Sequence, residues 1–375
     1  MASAKDSKKK LEQAAAKDES TADSLNAFLK EMNREKPGEV SRLGDTTNFA
    51  VDSVPTGAIS LDLAIGSGGF PRGRIIELYG PESSGKTTLA LAVAKNVQAM
   101  GGNVGFVDAE HALNEELCHN IGIDFDKFIV NQPNSGEAGI EMVKKMIKSK
   151  AFDMIIVDSV AAMVPMAELE ADETQQSMGL HARLMSRFMR NIAGPVAESG
   201  VMLVLVNQIR KNLGAYGTPD TTTGGSAIKF FASLRIEVRS ASSQKIVKNG
   251  DVIGITVKAT VKKNKVGAPF REAEYDLIFG HGIDGTASII DACESVGVLL
   301  RSGGSYTEAA TGEKLVVGKE NLKAMLKDDP AMQQRLTDAF YAKLKANSVP
   351  LEEGTGLVSD DELEITEQNL DLDQE

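Results

Sequence analysis

Between residues 75 and 207 the chain alternates short apolar runs with longer helix-forming stretches. Ile75-Ile-Glu-Leu-Tyr79, Val104-Gly-Phe-Val107, Phe128-Ile-Val130, Met154-Ile-Ile-Val157 and Val201–Val206 are almost continuous in apolar residues. Such runs predict strands buried on both faces, as in a parallel sheet. Leu89–Lys95 and residues 109–121, 136–149 and about 176–193 lie between or after them and predict helices. Past Gly225 the pattern changes. Leu234–Arg239, Val252–Lys263 and Ala273–Phe279 read as consecutive strands of an antiparallel extension. Residues 285–347 are mostly helical with Gly-rich turns. Near the start, Leu25, Phe28, Leu29 and Met32 share one face of a helix over 24–34, which Pro37-Gly38 stops. A helix this short is marginal alone, so its apolar face must dock, on its own core or on another subunit.

These shifts divide the chain into a loose tail (1–23), an N-terminal helix segment (24–53), an α/β core (54–284), a small α+β domain (285–347) and an acidic tail (348–375). Charge sharpens the last boundary. The net charge is −12, and residues 351–375 hold ten carboxylates with no Lys or Arg. The rest of the chain is therefore nearly neutral, and a nucleic-acid surface on it is compatible with the acidic total. So dense a block of one sign cannot build a core and is expected to stay unfolded. It either only keeps the chain soluble or, if the chain binds nucleic acid, competes for its basic loops or repels an incoming duplex. Cys118 and Cys293 make neither a disulfide framework nor a metal spacing. No run reaches membrane-spanning length and no apolar leader is present, so a cytoplasmic location is expected.

The chemistry concentrates at the ends of the predicted strands. After Ile75–Tyr79 comes Gly80-Pro81-Glu82-Ser83-Ser84-Gly85-Lys86-Thr87-Thr88, which fits the phosphate-loop pattern between a strand and a helix. A triphosphate must be wrapped by backbone N–H groups that side chains would obstruct, hence Gly80 and Gly85. The helix N-terminus faces the phosphates. Lys86 brings a cation to the β and γ phosphates, and the Thr87 hydroxyl can ligate Mg²⁺. Nucleotide binding, ATP with Mg²⁺, is the expected chemistry. Asp158 ends an apolar strand where ligands bind in such sheets, and reads as a second metal-site group or as a turn cap. Glu110, in Asp108-Ala-Glu-His111, is placed to orient or deprotonate water, or is a plain surface carboxylate.

Asn207-Gln-Ile-Arg210 ends a further strand and enters a long loop rich in Gly, Thr and Pro, ending at Gly224-Gly225. The Gln208 amide can hydrogen-bond a γ phosphate and report its loss to that loop. Met178-Gly179 opens a helical stretch in which Arg183, Arg187 and Arg190 recur at helical spacing. That basic face is either merely solvated or holds a phosphate backbone, with Arg210 nearby in sequence to the second loop.

In order along the chain, Gly-Pro-Glu-Ser-Ser-Gly-Lys-Thr, Phe-Val-Asp-Ala-Glu-His-Ala-Leu, Val-Asp-Ser-Val-Ala-Ala, Asn-Gln-Ile-Arg, Thr-Thr-Thr-Gly-Gly and Lys-Asn-Lys-Val-Gly-Ala-Pro-Phe resemble the bacterial RecA family of recombinases, over about 40–345. The resemblance implies a RecA-type P-loop ATPase core with a mostly parallel central sheet. It implies a DNA-dependent ATPase that polymerises on single-stranded DNA and exchanges strands with duplex DNA, and that promotes self-cleavage of a LexA-type repressor. It implies that Glu110 activates water and Gln208 couples nucleotide state to DNA. Two DNA loops are implied at about 170–179 and 209–223. Lys263 and Lys265 are implied to reach ATP on the neighbouring subunit. Lys229, Phe230 and Arg235 are implied at the subunit interface, and the 24–34 helix docks on the next protomer. The chain departs from the family at Leu117, where an aromatic against adenine is common; Phe279 is the expected substitute. The second loop is one residue shorter and the N-terminal tail longer than the usual form.

Overall fold

The computed structural model describes residues 23–34, 40–42, 52–171, 179–210, 221–248 and 250–347. The chain forms two compact units, Met1–Asp52 and Ser53–Glu375. In the first, residues 23–34 form helix α1. Leu25, Phe28 and Met32 on its predicted apolar face are 49%, 48% and 38% exposed.

In the second unit, β1 (Ser53–Val54), α2 (Ile59–Ile65) and β2 (Phe70–Pro71) lead into the core. Then β3 (Ile75–Gly80), α3 (Lys86–Ala99), β4 (Val104–Asp108), α4 (Glu115–Ile121), β5 (Phe128–Asn131) and α5 (Gly136–Ser149) alternate. β6 (Met154–Asp158), the one-turn α6 (Met166–Leu169), α7 (Leu180–Ser199) and β7 (Met202–Arg210) follow. After β8 (Thr221–Thr222) and α8 (Ala227–Phe231) come β9 (Leu234–Lys248), β10 (Asp251–Asn264), β11 (Glu272–Ile278) and β12 (Gly282–Asp284). They make one sheet in the order β12-β11-β10-β9-β3-β7-β6-β4-β5, with β8 on β7. The six strands from β9 to β5 are parallel; β9 to β12 are antiparallel.

Both faces of the parallel part are apolar, which is why its strands lack a polar alternation. Ile76, Leu78, Phe106, Ile156 and Val204 pack under α3 and α4; Ile75, Val107, Ile155, Val157 and Leu203 pack under α5 and α7. β9 joins the two halves, pairing parallel with β3 and antiparallel with β10. It runs nine residues past the Arg239 end expected from its alternation, because the β9–β10 ladder continues across two register shifts to Lys248. α4 starts at Glu115, not 109. The Asp108 carboxylate accepts the Ala112 and Leu113 N–H groups, and Asn114 caps the helix. Residues 109–114 are thereby left as a loop at the strand ends. α7 continues through Pro195 and stops at Gly200, φ +74°.

Helix α9 (Thr286–Ser295), strands β13 (Leu299–Ser302), β14 (Ser305–Glu308) and β15 (Lys314–Val317), and helices α10 (Lys319–Asp328) and α11 (Pro330–Asn347) enclose another apolar cluster. Ile290, Tyr306, Leu322, Leu336 and Phe340 fill it, with Ile59 of α2 added. The fully buried Asp62 carboxylate of α2 accepts the Thr56 N–H at 2.9 Å and the Tyr341 hydroxyl of α11. Burial pushes this carboxyl up to about 7, against the lowering effect of its Tyr341 and Thr56 hydrogen bonds. The folded chain thus holds the proton more tightly than the unfolded one, whose carboxyl titrates near 3.8. The stabilising effect is complete below that value and disappears as pH rises through about 7. Asp62→Asn keeps the acceptor without the charge. Urea unfolding should show wild type losing stability relative to the variant between about pH 4 and about pH 7 and levelling off above that. Parallel pH curves for the two proteins would contradict this.

Candidate nucleotide site and nucleic-acid interface

Strand register alone gathers the site. Gly80 of β3 lies opposite Gln208 of β7, and Asp108 of β4 opposite Asp158 of β6. All four stand at the carboxyl ends of parallel strands, where open α/β sheets bind ligands. The phosphate loop leaves β3 between Gly80 and α3. A Cβ on Gly80 would sit 1.9 Å from the Val238 carbonyl oxygen, and one on Gly85 2.6 Å from Leu277. Gly85 also has φ +92° and Ser83 φ +54°. The loop backbone thus runs so close to β9 and β11 that no side chain fits at those two glycines, as a phosphate-wrapping loop requires.

Lys86 is buried and donates to the Pro81 carbonyl at 2.6 Å. Burial holds its ammonium below the usual lysine range, while Asp158, Glu110 and Glu82 pull it back up. The Thr87 hydroxyl donates to Asp158 at 2.6 Å. Burial raises the Asp158 carboxyl to about 6; the Thr87 hydrogen bond lowers it and nearby Glu110 raises it further. The Ser84 hydroxyl is buried with no partner among the described residues. A loop tight at both glycines, a hydroxyl without a partner and carboxylates beside one buried lysine fit a magnesium-bound polyphosphate. Among the described residues no group of three or more His, Cys, Asp or Glu could hold a metal alone.

Glu110 projects into the same crevice. Its Oε1 accepts from the Ser159 hydroxyl and, at 3.0 Å, from the Gln208 amide. Glu110 is exposed, and its carboxylate has two side-chain donors from neighbouring strands. The backbone N–H of Ala109 reaches the Asp158 carbonyl at 2.8 Å, which ties the Glu110 loop to β6. Next to Gln208, the Asn207 amide donates to Glu77 and to the Thr223 carbonyl, both at 2.9 Å, and its oxygen accepts the Gln208 N–H. Glu77 is wholly buried, and its other oxygen accepts from Arg235, whose guanidinium stacks 4.6 Å over Tyr79. Ser159, Asn207 and Glu77 were not anticipated from sequence. A lone Glu in the apolar run 75–79 is a signal that could have found the network, since a buried carboxylate needs a buried partner.

The two loop ends converge. Gly224 (φ +91°) and Gly225 (φ +71°) lie so close to α7 that Cβ atoms would meet Met185 at 3.1 Å and Ala182 at 3.2 Å. Gly179 (φ +85°) opens α7 just before those residues. Arg183, Arg187 and Arg190 are all exposed along that helix. Arg210 pairs through its backbone with Thr221. Met178 and the middles of both loops, 172–178 and 211–220, lie outside the described residues. Phe279 is 50% exposed beside the β11–β12 turn, where Gly282 abuts Ile121 and Thr88. Leu117 packs into the core edge.

Lys263 and Lys265 do not join this crevice. β10 register sets Lys263 beside Arg235, which is opposite Glu77. That is three residues below Gly80, about 10 Å along the strand. The Lys263 ammonium donates to the Lys229 and Phe230 carbonyls at the end of α8, at 2.6 and 2.9 Å. Burial, then Lys265 and Arg235, hold it below the usual lysine range. Phe230 itself is 72% exposed. Arg235 faces inward.

The model of the RecA N-terminal domain matches residues 23–284. The chain belongs to the RecA family. Among curated relatives, Protein RecA of Campylobacter lari is 43% identical over 348 residues, 92% of this chain and 99% of that protein. Protein RecA of Trichormus variabilis is 42% identical over 90% and 92%, respectively. Protein RecA of Frankia casuarinae is 45% identical over 82% and 88%. The RecA match covers the whole sheet that carries the crevice, the converging loop ends and α8. No described helix is long and apolar enough to cross a membrane.

Proposed function

We propose that this chain is a DNA-dependent ATPase that assembles as a filament on single-stranded DNA and catalyses homologous pairing and strand exchange with duplex DNA. One observation carries the reading. The Glu110 carboxylate is held by Gln208, whose strand runs directly into the loop that returns against the basic helix α7. Lys86, Thr87 and the loop amides hold the phosphates of ATP. Thr87 and Asp158 would hold Mg²⁺, which when bound neutralises phosphate charge. Glu110 orients the attacking water and takes its proton, while Ser159 fixes the carboxylate's rotamer. The Gln208 amide exchanges Glu110 for the γ phosphate according to nucleotide state. Asn207, bonded to the Gln208 N–H and to Thr223, carries that change to the base of the second loop. Exposed α1 and Phe230, with Lys263 and Lys265, supply contacts to the neighbouring subunit. Within this reading, self-cleavage of a LexA-type repressor on the filament rests on family membership alone.

Negative-stain imaging tests the assembly. ATP and single-stranded DNA together should give helical filaments. Closed rings, or particles that ignore DNA, would instead favour a ring-forming phosphate-loop motor.

A further inference from the structure

At the sheet edge opposite the nucleotide crevice, α5 and α7 end side by side before they feed β6 and β7. Between their last turns lies a groove of about 410 Å³. Ile147, Ile192 and Pro195 form its floor, and Lys144, Lys148 and Lys150 stand on one rim. The facing rim carries Asn191 and the lone acid, Glu198. Lys144 and Lys148 lie one turn apart on α5, a mildly repulsive pair. Lys150 caps that helix in the left-handed region, φ +55°. All three lysines are exposed, and among the described residues none pairs with a carboxylate, whereas neighbouring Lys145 pairs with Glu141 at 3.0 Å. Nothing in the nucleotide or loop chemistry uses this cluster.

We propose that this groove is the docking site for the acidic C-terminal tail of the same chain. Charge is the first argument: ten carboxylates without a cation meet three unpaired lysines. The second is pattern. The tail is not uniformly polar; Leu363-Glu-Ile365 and Leu370-Asp-Leu-Asp373 alternate aliphatic and acidic residues. In an extended segment the aliphatic side chains fall on one side and the carboxylates on the other. A groove with an apolar floor and a lysine rim is complementary to that segment. A phosphate backbone would use the lysines but not the floor. Reach is the third. The 28 residues after Asn347 span about 90 Å when extended, against a radius of gyration of about 20 Å for a body of this length. The tether also holds the tail at an effective concentration far above that of a free acidic peptide.

The test is zero-length carbodiimide crosslinking of the full-length protein without DNA, on a mixture of isotopically heavy and light chains, read by mass spectrometry. Expected are bonds within one chain from carboxylates of 360–375 to Lys144, Lys148 or Lys150. They should vanish near 1 M salt, where the screening length is about 3 Å. In the variant Lys144→Glu, Lys148→Glu, cleavage of the tail by a Glu-specific protease should accelerate several-fold with nucleotide binding unchanged. Crosslinks spread over other lysines, crosslinks only between chains, or equal tail cleavage in the variant would overturn the proposal. Protection of the three lysines by duplex DNA, with no crosslink to the tail, would make the groove a DNA surface and would also overturn it.

Discussion

Glu110→Gln should bind ATP and form filaments much as wild type does, yet hydrolyse ATP about 10²–10⁴-fold more slowly, the usual worth of a positioned general base. The amide is isosteric, so the Ser159 and Gln208 contacts can largely persist, and the loss isolates proton transfer. Lys86→Ala is the contrasting change. It removes the cation from a site that already holds Asp158 and Glu110, so nucleotide affinity falls together with turnover. Equilibrium nucleotide binding and single-turnover hydrolysis on both variants separate the two roles. Normal turnover in Glu110→Gln would remove Glu110 from the chemistry.

The second large effect lies across the subunit junction. Lys263→Ala, Lys265→Ala should keep nucleotide binding by its own intact loop. DNA-stimulated hydrolysis should fall by about 10³-fold or more, the scale seen when a cation supplied in trans is lost. The register argument underlies this, because Lys263 sits well below its own phosphate loop and rests on the α8 carbonyls. Those bonds must break for it to reach a neighbour's phosphate. Mixing supplies the decisive arm. Alone, the lysine double variant and Glu110→Gln should each hydrolyse ATP only at those low residual rates. Equal mixtures should recover about a quarter of wild-type activity, since a junction needs an intact site from one subunit and an intact pair from the next in a head-to-tail assembly. A mixture as inactive as its components, or a fully active double variant, would place the lysines elsewhere.

Much of this was legible in sequence because each parallel strand carries its functional residue at its carboxyl end. Once Ile75–Tyr79, Val104–Val107, Met154–Val157 and Val201–Val206 read as buried parallel strands, Gly80, Asp108, Asp158 and Gln208 were bound to share one edge. Side-chain partners were not legible in the same way. That Glu110 takes Ser159 and Gln208 as donors depends on how residues 109–114 leave the strand, and the Asp108 hydrogen bonds set that path. The Glu77–Asn207–Arg235 cluster joins three strands that are far apart in sequence and adjacent only in the sheet. The split allegiance of β9 was hidden for a similar reason: its alternation suits an antiparallel neighbour, while its pairing with β3 is a property of topology. The groove between α5 and α7 depends on where two helices end against each other, which periodicity does not specify.

Coupling between the crevice and the DNA loop is the centre of the account, and steady-state phosphate release with and without single-stranded DNA tests it most directly. Wild type should be stimulated about 5–150-fold, the range of a coupling free energy of about 1–3 kcal/mol. Gln208→Ala, which cuts the link from Glu110 to the loop, should retain a basal rate and respond little to DNA. Equal stimulation of Gln208→Ala and wild type, or no stimulation of wild type, would contradict it.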